Sequence, residues 1–110
     1  MDLLRLLPFA ALALAGPALA QHEAHAPPPR ASVADWAKGA QLFEGLGTFH
    51  RKVTASPEAQ KYFDQGMRFV WAFNHDEATR SFARAAELDP KCASCYWGVA
   101  LTLGPNYICR

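Results

Sequence analysis

Residues 56–90, SPEAQKYFDQGMRFVWAFNHDEATRSFARAAELDP, carry two consecutive helical patterns with start and stop signals. Ser56 is a favourable N-cap, and Pro57 suits the first helical position, where no backbone N–H is needed. The apolar pattern breaks before Asn74, which can cap a second helix. Asp89–Pro90 ends that helix, because a residue before proline avoids the helical conformation. The stretch therefore predicts two helices joined by a tight turn.

Small and large apolar residues recur at set offsets along both predicted helices. They are Tyr62, Gly66, Phe69, Ala78, Phe82, Ala85 and Pro90. The pattern resembles the tetratricopeptide repeat (TPR), a helical hairpin of about 34 residues. In this register residues 57–90 form a first repeat, and Gln65 stands where the family usually has leucine. We expect this glutamine to loosen the packing locally.

A second repeat is predicted directly after the first. A shift of about 34 residues pairs Tyr62 with Tyr96, Gly66 with Ala100 and Phe69 with Leu103. Residues 91–110 thus predict the first helix of an incomplete second repeat, which ends at Gly104–Pro105. Since such repeats bury their cores against their neighbours, we expect an all-α fold that begins a longer solenoid.

The resemblance extends beyond the generic repeat. The segments FNHDEA, CYWG and LGPN are similar to those of a group of exported bacterial tetratricopeptide proteins. This resemblance implies a scaffold that binds an unknown protein or peptide, with no biochemical activity attached to it. It further implies that one face of the first helix lines a binding groove, formed by Gln60, Phe63, Met67, Val70 and Trp71. Because most of these side chains are apolar, we expect something to cover them, either other helices of the chain or a bound partner.

Residues 1–20, MDLLRLLPFAALALAGPALA, have the character of a secretory signal peptide. Arg5 precedes a Leu/Ala-rich run, and Ala18–Ala20 provides a small-residue cleavage site. A membrane anchor is the alternative, but Pro8 and Gly16–Pro17 leave too short an apolar run for a bilayer core of about 30 Å. We expect a periplasmic or secreted protein without a stable membrane span after cleavage.

The region between the leader and the repeat has two parts. Residues 21–32 are polar and proline-rich, which predicts a disordered linker. Residues 33–47 predict a helix that caps the exposed side of the first repeat, and residues 48–56 predict a connecting loop. The apolar face of that helix is formed by Val33, Trp36, Ala40, Phe43 and Leu46.

Cys92 and Cys95 are the strongest candidates for chemistry, because both lie in the first turn of a predicted helix. An all-helical context disfavours a thioredoxin-like enzyme, and Tyr96 stands where c-type haem attachment requires histidine. A disulfide, free thiols and a metal site remain open, and a disulfide is the most economical in an exported chain. A metal site would have to recruit Cys109 or a histidine. We expect a disulfide here to be strained and easy to reduce.

The remaining signals for chemistry are weak. His22, His25, His50 and His75 are weak metal-ligand candidates. No nucleophile elbow, phosphate-binding loop or metalloprotease helix is present in the sequence. With 51% apolar residues, a formal charge of +1 and no basic patch, nucleic acid is not an implied partner. The leading hypothesis is therefore a non-enzymatic scaffold without a cofactor. The alternative is a metal- or redox-active module that uses Cys92 and Cys95.

Overall fold

The computed structural model describes residues 30–105, and these form four α-helices and no strand. The helices are α1 (Val33–Ala37), α2 (Pro57–Trp71), α3 (His75–Leu88) and α4 (Ala93–Leu103). The expected all-α class is confirmed. The predicted signal peptide (residues 1–20), the predicted linker up to residue 29 and residues 106–110 lie outside the described residues.

Helices α2 and α3 form the predicted hairpin, and side chains cap both N-termini. The Ser56 hydroxyl accepts a hydrogen bond from the Ala59 N–H at 3.3 Å. The Asn74 side-chain oxygen accepts from the Glu77 N–H at 3.2 Å. Each bond satisfies a donor that would have no partner within its helix. Both predicted N-caps are therefore confirmed.

A short turn and a polar bond join the two ends of the hairpin. At the turn, Phe73 adopts a left-handed backbone conformation with φ 58°, and the Asn74 N–H donates to the Phe69 carbonyl at 2.9 Å. At the open end, the Ser56 N–H donates to an Asp89 carboxylate oxygen at 2.8 Å. Asp89 thus links the end of α3 to the beginning of α2.

Helix α3 is the centre of the packing and contacts each of the other three helices. Its Phe82 side chain is fully buried and lies between a glycine of α2 and a glycine of α4. A Cβ atom added to Gly66 would lie 2.6 Å from the Phe82 ring, and one added to Gly98 would lie 2.4 Å from it. Both helices can therefore approach α3 this closely only because these two residues lack a side chain.

The repeat-signature residues lie mostly in the core. Gly66, Phe69, Ala78, Phe82 and Ala85 are buried, Tyr62 is half-buried and Pro90 is exposed. The expected equivalence of Gly66 with Ala100 does not place Ala100 in the core, because Ala100 is exposed. Gly98, two residues earlier, makes the close contact with α3 instead.

The helix expected over residues 33–47 is much shorter than predicted, because α1 ends at Ala37. Gly39, Gly45 and Gly47 have φ values of 77°, 78° and 84°. This left-handed conformation is easy for glycine and incompatible with a continuous helix. The chain therefore passes over the hairpin as an irregular segment, and only the five-residue α1 packs on α3 as a cap.

A capping box stabilises the beginning of α1. The Ser32 hydroxyl accepts from the Asp35 N–H at 3.1 Å, and an Asp35 carboxylate oxygen accepts from the Ser32 N–H at 3.0 Å. These bonds from Ser32, with Lys38 beside them, hold the pKa of the Asp35 carboxyl well below its usual range. Above about pH 4, where an aspartate in the unfolded chain is also ionised, the Asp35 carboxylate stabilises this turn in full. Acidification below about pH 4 weakens this stabilisation, because the unfolded chain then binds a proton that the folded turn does not.

We predict that Gly98→Ala lowers the free energy of unfolding by about 1–3 kcal/mol, because the new methyl group overlaps the Phe82 ring. In an ordinary helix interior, Gly→Ala raises the free energy of unfolding by about 1 kcal/mol. A decrease would therefore indicate the overlap with the Phe82 ring. Urea denaturation followed by circular dichroism measures the effect. As a control, Ala100→Leu on the exposed side of α4 should change the free energy by less than about 0.5 kcal/mol.

A second variant tests the contact itself. Phe82→Leu removes the ring that the added methyl group meets, so Gly98→Ala should cost less in that background than in the native chain. Equal costs in both backgrounds, or a stabilised Gly98→Ala variant, would contradict the packing of Phe82 against α4.

Candidate functional site

Polar side chains of α2 bind the backbone of segment 41–53, the irregular chain that precedes the hairpin. Gln65 is only 2% exposed. Its side-chain oxygen accepts from the Phe43 N–H at 2.8 Å, and its amide nitrogen donates to the Gln41 carbonyl at 2.7 Å and to the Ser81 hydroxyl at 3.0 Å. The expectation that Gln65 loosens the packing is therefore wrong. Its amide is fully bonded, and it joins segment 41–53 to both helices of the hairpin.

Gln60 makes an equivalent set of bonds nearer the beginning of α2. Its side-chain oxygen accepts from the Val53 N–H at 2.9 Å, and its amide nitrogen donates to the Arg51 carbonyl at 2.9 Å. The same nitrogen donates to the Asp64 carboxylate at 2.9 Å. The side chain of Gln60, a predicted groove residue, is therefore hydrogen-bonded to the chain's own backbone.

Asp64 and Arg68 complete this row of contacts. The buried Asp64 carboxylate accepts from the Arg51 N–H at 3.1 Å and lies 2.6 Å from the Nδ1 atom of His50. The Arg68 guanidinium donates two bonds to the Phe49 carbonyl, at 3.0 and 2.8 Å. His50, predicted as a loop residue, is thus positioned by a carboxylate fourteen residues away.

A groove opens where segment 41–53 reaches the hairpin. We call it the α2–α4 groove, because it lies between Phe63 of α2 and Trp97 of α4, and its volume is 780 Å³. The groove is lined by Arg51, Lys52, Val53, Thr54, Ala55, Phe63, Ser94 and Trp97. A volume of this size falls within the range of about 300–1,000 Å³ that is typical of ligand pockets.

Of the five predicted groove residues, only Phe63 lines the α2–α4 groove. Met67 is buried, Val70 is half-buried, and Trp71 is 67% exposed outside this groove. Sequence reasoning missed Ser94 and Trp97, although a signal for both was available. The predicted repeat shift of about 34 residues takes Gln60 to Ser94 and Phe63 to Trp97.

Cys92 and Cys95 are joined in the structure as a disulfide, with an S–S distance of 2.06 Å and a Cα–Cα distance of 5.3 Å. Cys92 is the N-cap of α4, and its sulfur accepts from the Cys95 N–H at 3.2 Å. Both cysteines are 0% exposed. Thiol exchange requires access to a sulfur atom, so this burial shields the pair from reductants and substrates while the protein is folded. The burial therefore predicts slow reduction of the folded protein, in place of the easy reduction expected from strain.

The histidines do not assemble a metal site with other ligands in the described part of the chain. His50 bonds Asp64, and His75 begins α3 with its Nδ1 atom buried and without a hydrogen-bond partner in the described part of the chain. Among residues 30–105, no group of three or more His, Cys, Asp or Glu side chains has the spacing of a metal site. His22, His25 and Cys109 lie outside the described residues.

No protein-family model, curated protein or solved structure matches this chain. The tetratricopeptide resemblance therefore stays a prediction from the sequence. Within residues 30–105, none of the helices has both the length and the apolar character needed to cross a membrane.

We predict that Gln65→Leu destabilises the protein by about 1–3 kcal/mol, even though leucine is the usual residue in the repeat pattern. The substitution removes three hydrogen bonds and leaves the Phe43 N–H and the Gln41 carbonyl without their partner. Urea denaturation measures the loss, and limited proteolysis should cut residues 38–47 faster in the variant.

Gln41→Leu is the matched control, because Gln41 takes part through its backbone carbonyl and its side chain is exposed. This control should behave like the native protein in both measurements. A stabilised Gln65→Leu variant with native resistance to proteolysis would contradict the proposed attachment of segment 41–53.

We predict that the bond between Cys92 and Cys95 forms in protein recovered from an oxidising compartment. In denaturant without reductant, an alkylating reagent should then add only to Cys109, and after reduction it should add to all three cysteines. Because both bonded sulfurs are buried, reduction should be slower in native buffer than in denaturant. Mass spectrometry counts the adducts. Zinc or copper that survives dialysis, with cysteine protection lost on adding a chelator, would favour the metal alternative instead.

Proposed function

We propose that this chain is part of an exported helical scaffold of tetratricopeptide type, which binds a protein or peptide segment and has no catalytic activity. The observation that carries the proposal is the α2–α4 groove, whose accessible apolar surface comes mainly from Trp97, beside the buried Phe63. Trp97 is 50% exposed in that groove. A large aromatic side chain left half in water at the side of a groove is typical of a surface that binds a partner.

The helix packing supports the tetratricopeptide type. In stacked helical hairpins, the first helices of successive repeats are neighbours on one side, and the second helix packs behind them. Helices α2 and α4 are in contact, and α3 packs against both. The two aromatic groove residues are also separated by one repeat length, about 34 residues.

The outer face of α4 supports continued stacking of helices. Tyr96 and Leu103, two helical turns apart, lie on one side of this helix, and both are exposed. In a helical repeat, the next helix of the stack would cover such a face. The exposed face is therefore accounted for by the scaffold architecture, whereas the α2–α4 groove is the proposed binding surface.

Two further features support export. The first twenty residues have the pattern of a signal peptide, with the predicted cleavage after Ala20. The bonded pair Cys92 and Cys95 fits an oxidising compartment, where disulfides persist.

The proposal is tested in a Gram-negative bacterium that expresses the tagged full chain with a photo-crosslinking amino acid in place of Trp97. The same amino acid in place of Lys61, an exposed residue of α2 outside the groove, is the control. We expect the protein in the periplasm, cleaved after Ala20, with discrete crosslinked products from position 97 that position 61 does not give. Cytoplasmic protein with an intact leader would contradict export. Identical products at both positions would contradict a binding role for the groove.

A further inference from the structure

The α2–α4 groove has an uncompensated positive charge on one side. Arg51 and Lys52 both line it, and both side chains are exposed. Within residues 30–105 neither has an acidic partner, whereas Lys38, Arg80 and Arg84 each pair with an acidic side chain. None of the residues that line the groove is acidic. The groove therefore presents two cations without a counter-charge.

The opposite side of the groove is apolar. Trp97, which is 50% exposed, supplies this surface together with the half-buried Val53 and Ala55, whereas Phe63 lines the groove but is only 1% exposed. A ligand that fills this groove must therefore combine negative charge with an apolar side chain. A purely ionic ligand would leave the aromatic side unused, and a purely apolar ligand would leave both cations unpaired.

The basic side is anchored to the hairpin by its backbone. Asp64 accepts from the Arg51 N–H, and Gln60 bonds both the Arg51 carbonyl and the Val53 N–H. The two cations are therefore attached to a segment whose main chain is bonded to α2. A ligand that meets them gains contacts without first having to order this segment.

The free backbone of Lys52 favours an extended peptide over a compact small molecule. Arg51 and Val53 direct their bonded backbone groups toward α2. The N–H and carbonyl of Lys52 have no partner among the described residues. A passing peptide can bond these groups through its own main chain.

We propose that the α2–α4 groove binds extended acidic peptides that alternate carboxylate and apolar side chains. The carboxylates pair with Arg51 and Lys52, and the apolar side chains pack on Trp97. This inference rests on the proposed scaffold function and names the chemistry of its partner.

The test measures fluorescence anisotropy of a fluorescein-labelled peptide of alternating glutamate and leucine, added to the full chain as exported. We expect saturable binding that weakens as sodium chloride is raised. The double variant Arg51→Gln, Lys52→Gln should raise Kd about tenfold, because two charge-assisted contacts are lost. Lys61→Gln removes the same type of charge outside the groove and should leave Kd unchanged.

The aromatic contact is tested in parallel. Trp97→Ala should raise Kd about tenfold, whereas Phe73→Ala removes an exposed aromatic residue beyond the end of α2 and should have no effect. Circular dichroism checks that each variant is folded. Arg51 and Lys52 are exposed; Arg51 bonds α2 only through its backbone, and Lys52 makes no bond to α2. The two charge substitutions therefore leave the bonds to α2 intact, and they test the inference even if Trp97→Ala does not fold.

Three results would overturn the inference. One is equal binding of a peptide with lysine in place of every glutamate. Another is an equal effect of Lys61→Gln and the double variant, and the third is the absence of saturable binding. None of them decides the scaffold function, which crosslinking at position 97 in cells tests independently.

Discussion

The buried ring of Phe82 determines how closely three helices approach one another. It contacts the backbone of α2 at Gly66 and that of α4 at Gly98, so any increase in bulk at this layer would push the helices apart. The Phe63 ring lies beside it, with the two ring centroids 5.5 Å apart. Since Phe63 also lines the α2–α4 groove, the shape of the candidate binding surface depends on this single layer of the core.

On the other side of α2, polar side chains bond the segment that precedes the hairpin. Gln60, Asp64, Gln65 and Arg68 each bind main-chain atoms of segment 41–53. A residue of α2 with an apolar side chain would cover the same surface without fixing the position of this segment. The bonded side chains instead specify where each residue of the segment lies, and so they determine where Arg51 and Lys52 enter the groove.

The features that the sequence predicted well depend on neighbours along the chain. Caps at Ser56 and Asn74, and the end of α3 at Asp89, have local residue signatures. The predicted length of α1 is wrong, because the prediction gave more weight to the apolar spacing over residues 33–47 than to the three glycines in that stretch. The bonds of Gln65 and the approach of His50 to Asp64 could not be predicted, because polar contacts between distant residues leave no periodic pattern. Ser94 and Trp97 could have been predicted, because the predicted repeat register relates them to Gln60 and Phe63.

The attachment of segment 41–53 to α2 has a consequence for how this protein can change during evolution. Each of the bonds from Gln60, Gln65 and Arg68 to the segment ends on a backbone N–H or carbonyl. A main-chain contact survives most substitutions in the segment, and proline is excluded only where an N–H donates. Some side chains of the segment also hold it: Phe43 packs edge-on against Phe69, His50 bonds Asp64, and Leu46 and Val53 pack against the core. The side chains of Arg51 and Lys52 have no bonded partner among the described residues. The basic residues beside the groove can therefore diverge from one descendant to the next while the helical fold that carries them stays the same.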